Sequence, residues 1–177
     1  MKILIAAASK HGATAQIATA IADELRVAGA EVDVHEPEQV TDLAGYDATI
    51  LGSAVYMGRW MPTARALLAR SEVQLRTMPV WLFSSGPLSD SLQPRDGGEA
   101  VAETATRIGA RGSAVFAGQL SRERLHVAER AVTFLVRARY GDYREWAAIR
   151  AWARSIAAEL IGAAAVPLER IADPPAP

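Results

Sequence analysis

The chain has 177 residues, half of them hydrophobic and 22% charged, and its formal net charge is −1. This composition is typical of one globular domain that can bury a core of ordinary size. A net charge so close to zero gives no general attraction to nucleic acid. Because the chain has no cysteine, disulfides, thiolate metal ligands and a cysteine nucleophile are excluded.

The first apolar run, residues 3–8, predicts a buried strand rather than a secretion signal. It is very short, and it ends at the polar stretch Lys10-His11-Gly12. No apolar stretch of the sequence is long enough to span a bilayer. We therefore expect a cytoplasmic protein.

Apolar runs of strand length alternate with segments of helical periodicity along the chain. We predict strands over residues 3–8, 31–35, 47–53, 79–84 and 114–118. We predict a first helix that begins near Thr14 and stops at Gly29, and further helices over residues 62–70, 99–108 and 142–160. Residues 54–60 are predicted to form a loop with large side chains. The order predicts an α/β doubly wound sandwich over residues 1–162, with a five-stranded parallel sheet, helices on both faces and a loose tail over 163–177.

The turn between the first strand and the first helix has the features of an anion site. The first N–H groups of a helix have no internal partners, and the helix dipole favours negative charge there. We interpret the turn as a phosphate-binding loop made of Ser9, Lys10, His11, Gly12, Ala13 and Thr14. Ser9 and Thr14 can donate hydroxyl hydrogen bonds, and Gly12 lets the backbone curl close to a bound oxygen. The alternative is an ordinary turn in which Ser9 or Thr14 only caps the helix.

Two further loops are expected at the same edge of the sheet. Doubly wound sheets bind ligands outside the carboxyl ends of their strands, where the winding direction reverses. The loops that follow the third and fourth predicted strands would meet the phosphate-binding loop there. They comprise Ser53, Ala54, Val55, Tyr56, Met57 and Gly58, and then Ser84, Ser85 and Gly86.

These stretches together resemble the flavodoxin superfamily, and within it the menaquinone-dependent protoporphyrinogen oxidases of the flavodoxin type. Residues 9–14 are similar to the family's FMN phosphate loop, with Ser9, Gly12 and Thr14 as the shared elements. Residues 50–58 look like the second flavin loop, and residues 83–86 lie where the third one is found. The resemblance implies the flavodoxin-like fold and bound FMN.

The resemblance also implies roles for single residues. The 10–14 backbone, Ser9 and Thr14 would hold the phosphate. Lys10 and His11 would add donors, although either could equally be an exposed loop residue. Tyr56 is the candidate for stacking on the flavin ring, with Met57 or Trp60 at its edge, unless Trp60 belongs to the core. Backbone groups of residues 53–58 and 84–86 would contact the ring. No acid–base pair and no metal-ligand cluster is apparent in the sequence.

Residues 122–144 predict a basic amphipathic helix inserted into the domain. Six arginines stand against three acidic residues, which gives a local charge of +3. Such a helix can contact anionic lipid peripherally, bind a porphyrin or quinone, or form a homodimer. The alternative is a plain surface helix packed on the sheet.

Three functions remain open on this reading. The favoured one is an FMN-dependent oxidoreductase of the protoporphyrinogen oxidase or quinone-linked type, which passes electrons or hydride through FMN. The second is a flavodoxin-type electron carrier, which would dock on an electron-transfer protein. Carriers usually have strong acidic patches, whereas this chain is nearly neutral. The third is a binding module that takes no flavin, or a deazaflavin.

Overall fold

Five parallel strands form the centre of the computed structural model. The residues that it describes are 1–56, 58–86, 97–120 and 141–164, with the backbone alone at 97–100, 120, 163 and 164. The parallel strands are β1 (Lys2–Ala8), β2 (Glu31–His35), β3 (Ala48–Tyr56), β5 (Val80–Gly86) and β6 (Gly112–Ala117). They lie in the order β2-β1-β3-β5-β6, and a short β4 (Arg59–Trp60) pairs with the end of β3 in antiparallel fashion. The predicted α/β class with five parallel strands is confirmed, and the antiparallel β4 adds a sixth strand that was not predicted.

Helices cover both faces of this sheet, as predicted. On one face lie α1 (Ala13–Val27) and α5 (Trp146–Ala164). On the other lie α2 (Pro62–Arg70), the single turn α3 (Glu72–Leu75) and α4 (Gly97–Ile108). The short α3 was not predicted, because four residues carry too little periodicity to indicate a helix.

The apolar pattern of the strands explains the two layers. In β1, Ile3 and Ile5 face the α1 side while Leu4 and Ala6 face the α2 side, and all four are buried. Successive strand residues point to opposite faces, so a strand that is apolar throughout needs cover on both. The sheet therefore requires helices on each face.

The final helix differs from its prediction in where it begins. It starts at Trp146 rather than at residue 142, because Gly141–Asp142 form a strand, β8, which pairs with β7 (Gln119–Leu120). The predicted buried stripe is confirmed at Ile149, Ala153, Ile156 and Leu160. The inserted helix predicted over 122–144 lies outside the described residues except at 141–144, where the chain is not helical.

The β7–β8 pair is held to α1 by one arginine. The Arg144 guanidinium is nearly buried, contacts the Asp142 carboxylate at 2.6 Å and donates to the side-chain oxygen of Gln16 in the first turns of α1. Its Cζ also lies 4.5 Å from the centroid of the Trp146 ring. The segment that follows β6 is thus anchored next to the helix that begins at the phosphate-binding loop.

The ion pair between Arg144 and Asp142 should make the stability of the protein depend on pH in acid. Hydrogen bonds from Arg144 hold the pKa of Asp142 below its usual range. Because the folded pKa lies below the unfolded one, the pair stabilises the protein above the ordinary carboxylate pKa and is lost as the pH falls through the folded value. The Asp142 side chain is 40% exposed, so we expect an effect of at most about 1 kcal/mol.

Urea unfolding of the wild type and Asp142→Asn, at neutral pH and near pH 3, measures this contribution. We expect the two proteins to differ at neutral pH and the difference to narrow in acid. An equal gap at both pH values would contradict the assignment.

The helices within the described ranges include none that is long and apolar enough to cross a membrane.

Candidate functional site

The sheet register brings the three predicted loops to one edge. Ala8, the last residue of β1, is opposite Ser53 in β3, and Ser53 is opposite Ser84 in β5. The chain passes outward from β1 to β2 and then returns to the other side of β1 to form β3. The reversal of winding therefore lies between β1 and β3, and the loops that leave these two strands border the crevice at that point.

The first loop leads into α1 through a left-handed residue. Gly12 is the N-cap of α1, with φ 84° and ψ −11°, and no side chain caps the helix. A β-carbon is unfavourable at this φ, so glycine suits the turn. The first-turn N–H groups have no side-chain cap, and they and the positive end of the dipole of this 15-residue helix face the loop that precedes it. The alternative that Ser9 or Thr14 caps the helix is not what the structure shows.

Ser9 provides the sharpest indication of a ligand. Its hydroxyl oxygen is buried and has no hydrogen-bond partner among the residues that the structure describes. Buried polar groups nearly always have a partner, so a hydroxyl of this kind needs an explanation. An anion seated at the α1 N-terminus would supply the missing acceptor. Thr14, also assigned to this loop, lies in the first turn of α1 and is 2% exposed.

Tyr56 joins the second loop to the first. Its ring centroid lies 6.2 Å from that of His11, and the Lys10 ammonium lies 4.9 Å from the Tyr56 centroid. Tyr56 is 36% exposed at the end of β3, so part of its ring remains accessible to a ligand. A cation at this distance attracts the face of an aromatic ring. The structure thus brings Lys10, His11 and Tyr56 together as a single cluster.

The end of β3 and β4 form a hairpin where the sequence predicted a loop with large side chains. Val55 pairs with Trp60 and Tyr56 with Arg59, so the chain reverses direction between Tyr56 and Arg59. A tight hairpin turn requires a residue with positive φ, and Gly58 has φ 73°. Met57 lies outside the described residues.

The Ser53 hydroxyl of the second loop and the Ser84 hydroxyl of the third are hydrogen-bonded within the protein. The Ser53 hydroxyl donates to the Ala54 carbonyl at 2.8 Å and accepts the Met61 N–H at 2.9 Å. The Ser84 hydroxyl accepts the Trp60 indole N–H at 2.8 Å. These residues hold the hairpin on the sheet, which leaves backbone groups as their means of contacting a ligand.

Trp60 is a core residue. It is 5% exposed and packs among the apolar side chains of the α2 face. The sequence left two positions open for Trp60, at the edge of the flavin ring or in the core. In the structure Trp60 lies in the core. The hydrogen bond to Ser84 crosses between strands that are distant in the chain, so no local pattern indicated it.

The third loop is closed by a contact that the sequence did not reveal. The Gly118 N–H donates to the Gly86 carbonyl at 2.7 Å. A β-carbon on Gly118 would lie 3.1 Å from that same oxygen, closer than normal packing allows. Ser85 is buried beside it, while Gly86 is half-buried at the strand end.

Fold and site together define an α/β protein with an uncapped helix N-terminus at its topological switch point. The family model of the flavodoxin domain matches residues 4–145. The chain therefore belongs to the flavodoxin domain family. No curated protein sequence matches it.

Solved structures agree with the fold. A flavodoxin from Pseudomonas aeruginosa, in a cysteine-to-serine mutant form, is 20% identical, with a TM-score of 0.63 over 92% of this chain and 100% of that one. An archaeal flavodoxin is 14% identical, with a TM-score of 0.60 over 90% and 98% of the two chains. Rubredoxin oxygen:oxidoreductase from Desulfovibrio gigas is 16% identical, with a TM-score of 0.64, and the match covers 93% of this chain but 37% of that one. The predicted flavodoxin-like fold is confirmed, whereas the resemblance to the protoporphyrinogen oxidases is not supported by these comparisons.

Proposed function

We propose that the protein binds FMN and transfers electrons as a flavodoxin-type carrier. The observation that carries this proposal is the buried Ser9 hydroxyl, which has no hydrogen-bond partner within the described ranges, beside the uncapped N-terminus of α1. A dianionic phosphate accepts several hydrogen bonds and favours the positive end of a helix dipole. The donors in this loop fit such a group without further side chains.

Different residues would contact the phosphate and the ring of FMN. Ser9, Thr14 and the backbone N–H groups of residues 10–14 would hold the phosphate, with Lys10 and His11 close to it. Tyr56 would lie beside the flavin ring, and backbone groups of residues 53–58 and 84–86 would contact the edge of the ring. FMN, when bound, supplies the redox chemistry, while the chain supplies position and electrostatics.

The comparisons favour a flavodoxin-type carrier over an enzyme of the protoporphyrinogen oxidase type. Flavodoxins match nearly the whole chain in both directions, whereas the oxygen:oxidoreductase extends far beyond the match. No feature of the described residues specifically indicates a porphyrinogen or quinone substrate. The segment on which membrane, quinone and dimer contacts were predicted, 122–144, lies mostly outside them. An electron-transfer protein is the partner that we propose.

Titration of the apo-protein with FMN tests the proposal directly. We expect quenching of flavin fluorescence with a dissociation constant below about 10 µM, about 7 kcal/mol of binding free energy. Riboflavin, which lacks the phosphate, should bind much more weakly. Absence of binding at tens of micromolar FMN would defeat the proposal.

Tyr56→Ala should loosen FMN by about tenfold or shift its reduction potential, while the free energy of unfolding changes by less than about 1 kcal/mol. The stability should hold because the ring is partly exposed at a strand end. Tyr56→Phe is the matched control, since it keeps the ring and removes only the hydroxyl. If affinity, spectrum and potential are all unchanged in the alanine variant, Tyr56 does not contact the flavin.

A further inference from the structure

A cavity outside the proposed FMN site lies on the α2 face, next to the β3–β4 hairpin. Its volume is about 160 Å³, and its buried wall is formed by Trp60, Leu68 and Leu82, each no more than 6% exposed. Val101 of α4 adds a half-buried apolar side chain. An apolar cavity of about 150 Å³ stays dry and accepts one benzene ring. This cavity therefore has the size and lining for a single six-membered ring.

Two arginines line the exposed part of the same cavity. Arg59 comes from β4 and Arg65 from α2, both side chains are exposed, and no Asp or Glu is among the lining residues that the structure describes. A guanidinium pairs well with a carboxylate, to which it can donate two parallel hydrogen bonds. The cavity thus combines an apolar wall with positive charge at its exposed side.

These two arginines differ from the other arginines in the described part of the chain. Each of the others forms an ion pair with a carboxylate or donates to backbone carbonyls; they are Arg26, Arg70, Arg76, Arg107, Arg111, Arg144, Arg150 and Arg154. Arg59 and Arg65 have no ion pair within the described ranges. No carboxylate of the described residues compensates their charge where the cavity opens.

We propose that this cavity, lined by Trp60, Leu68, Leu82 and Val101 with Arg59 and Arg65 at its exposed side, binds a monocyclic aromatic carboxylate. The ring would lie against the indole and the two leucines, where it loses contact with water and packs on an aromatic surface. The carboxylate would face the guanidinium groups, in solvent. The Trp60 N–H is already bonded to Ser84, so the indole offers apolar surface and no donor.

Benzoate is the probe, and amide and indole NMR shifts of the full chain are the measurement. We expect saturable shifts at Trp60, Leu82 and Val101 with a dissociation constant of about 0.1–1 mM. Benzyl alcohol, which has the ring without the charge, and acetate, which has the charge without the ring, should each bind at least about fivefold more weakly. The readout does not depend on FMN, so failure here leaves the FMN proposal standing.

Three variants locate the binding. Val101→Phe fills the cavity and should abolish the benzoate shifts. Arg59→Gln and Arg65→Gln should each weaken benzoate about three- to fivefold and leave benzyl alcohol unchanged. Arg150→Gln removes the same charge from an exposed helix and is the matched control; it should have no effect.

Three results would overturn the proposal. If benzoate binds Val101→Phe as tightly as it binds the wild type, its site lies elsewhere. Acetate that equals benzoate shows a surface charge effect only. Arginine variants that bind benzoate normally show that the guanidinium groups take no part. Both arginines are exposed, so these last variants stay informative even if Val101→Phe fails to fold.

Discussion

Gly12→Val is expected to weaken FMN binding by at least about 100-fold and riboflavin binding by less than about fivefold. Gly12 has φ 84° at the N-cap of α1, a conformation that a β-branched residue adopts only at considerable cost. Relief of this strain would turn the N–H groups of the loop away from the phosphate. Two or three lost charge-assisted hydrogen bonds, at about 1.5–3 kcal/mol each, account for the loss. Riboflavin has no phosphate, so its contacts should persist.

Gly45→Val separates strain from binding. Gly45 has nearly the same φ, 83°, and a β-carbon there would meet nothing within 4 Å. It lies in the turn before β3, at the opposite end of the sheet from the phosphate-binding loop. We expect both variants to lose a similar amount of stability, but only Gly12→Val to lose FMN. If Gly12→Val and the wild type bind FMN equally, residues 9–14 are not the phosphate site.

The turn between β1 and α1 could be predicted because its signals are local. An apolar run, a glycine and a helical stripe of Ile17, Ile21 and Leu25 follow one another within about 25 residues, and all three of these side chains are fully buried. Strand-to-helix boundaries of this kind are determined by a few neighbouring residues. The same reasoning predicted β2 with the bounds that it has, Glu31–His35.

The hairpin and the serine hydroxyls could not be predicted because they depend on partners distant in the chain. Trp60 and Ser84 are 24 residues apart, yet their hydrogen bond determines that the tryptophan belongs to the core. The start of α5 was predicted four residues early for a similar reason. Pairing with β7 makes Gly141–Asp142 a strand, and no pattern in residues 141–145 indicates that pairing. Sequence therefore located the loops, and tertiary contacts decided which side chains remain available to a ligand.

Gly52→Ala should destabilise the protein by about 3 kcal/mol or more. A β-carbon at this position would lie 2.1 Å from Cζ and 2.2 Å from Cε1 of Phe83. Phe83 is fully buried, and its ring packs against Phe116 and Trp152 at centroid distances of 6.2 and 6.3 Å. The ring therefore has little space to move aside. Urea unfolding measures the loss.

A double-mutant cycle identifies the clash as the cause. Phe83→Leu alone should destabilise, because it removes buried ring atoms. Combined with Gly52→Ala it should cost less than the sum of the two changes by about 1–2 kcal/mol, since the smaller side chain leaves space for the added methyl. Gly162→Ala is the matched control: this exposed helical glycine has nothing within 4 Å of the added carbon and should gain up to about 1 kcal/mol. Additive losses in the cycle would mean that Gly52 is needed for a reason other than Phe83. The residue directly precedes Ser53, so the same contact positions the strand end from which the Tyr56 hairpin extends.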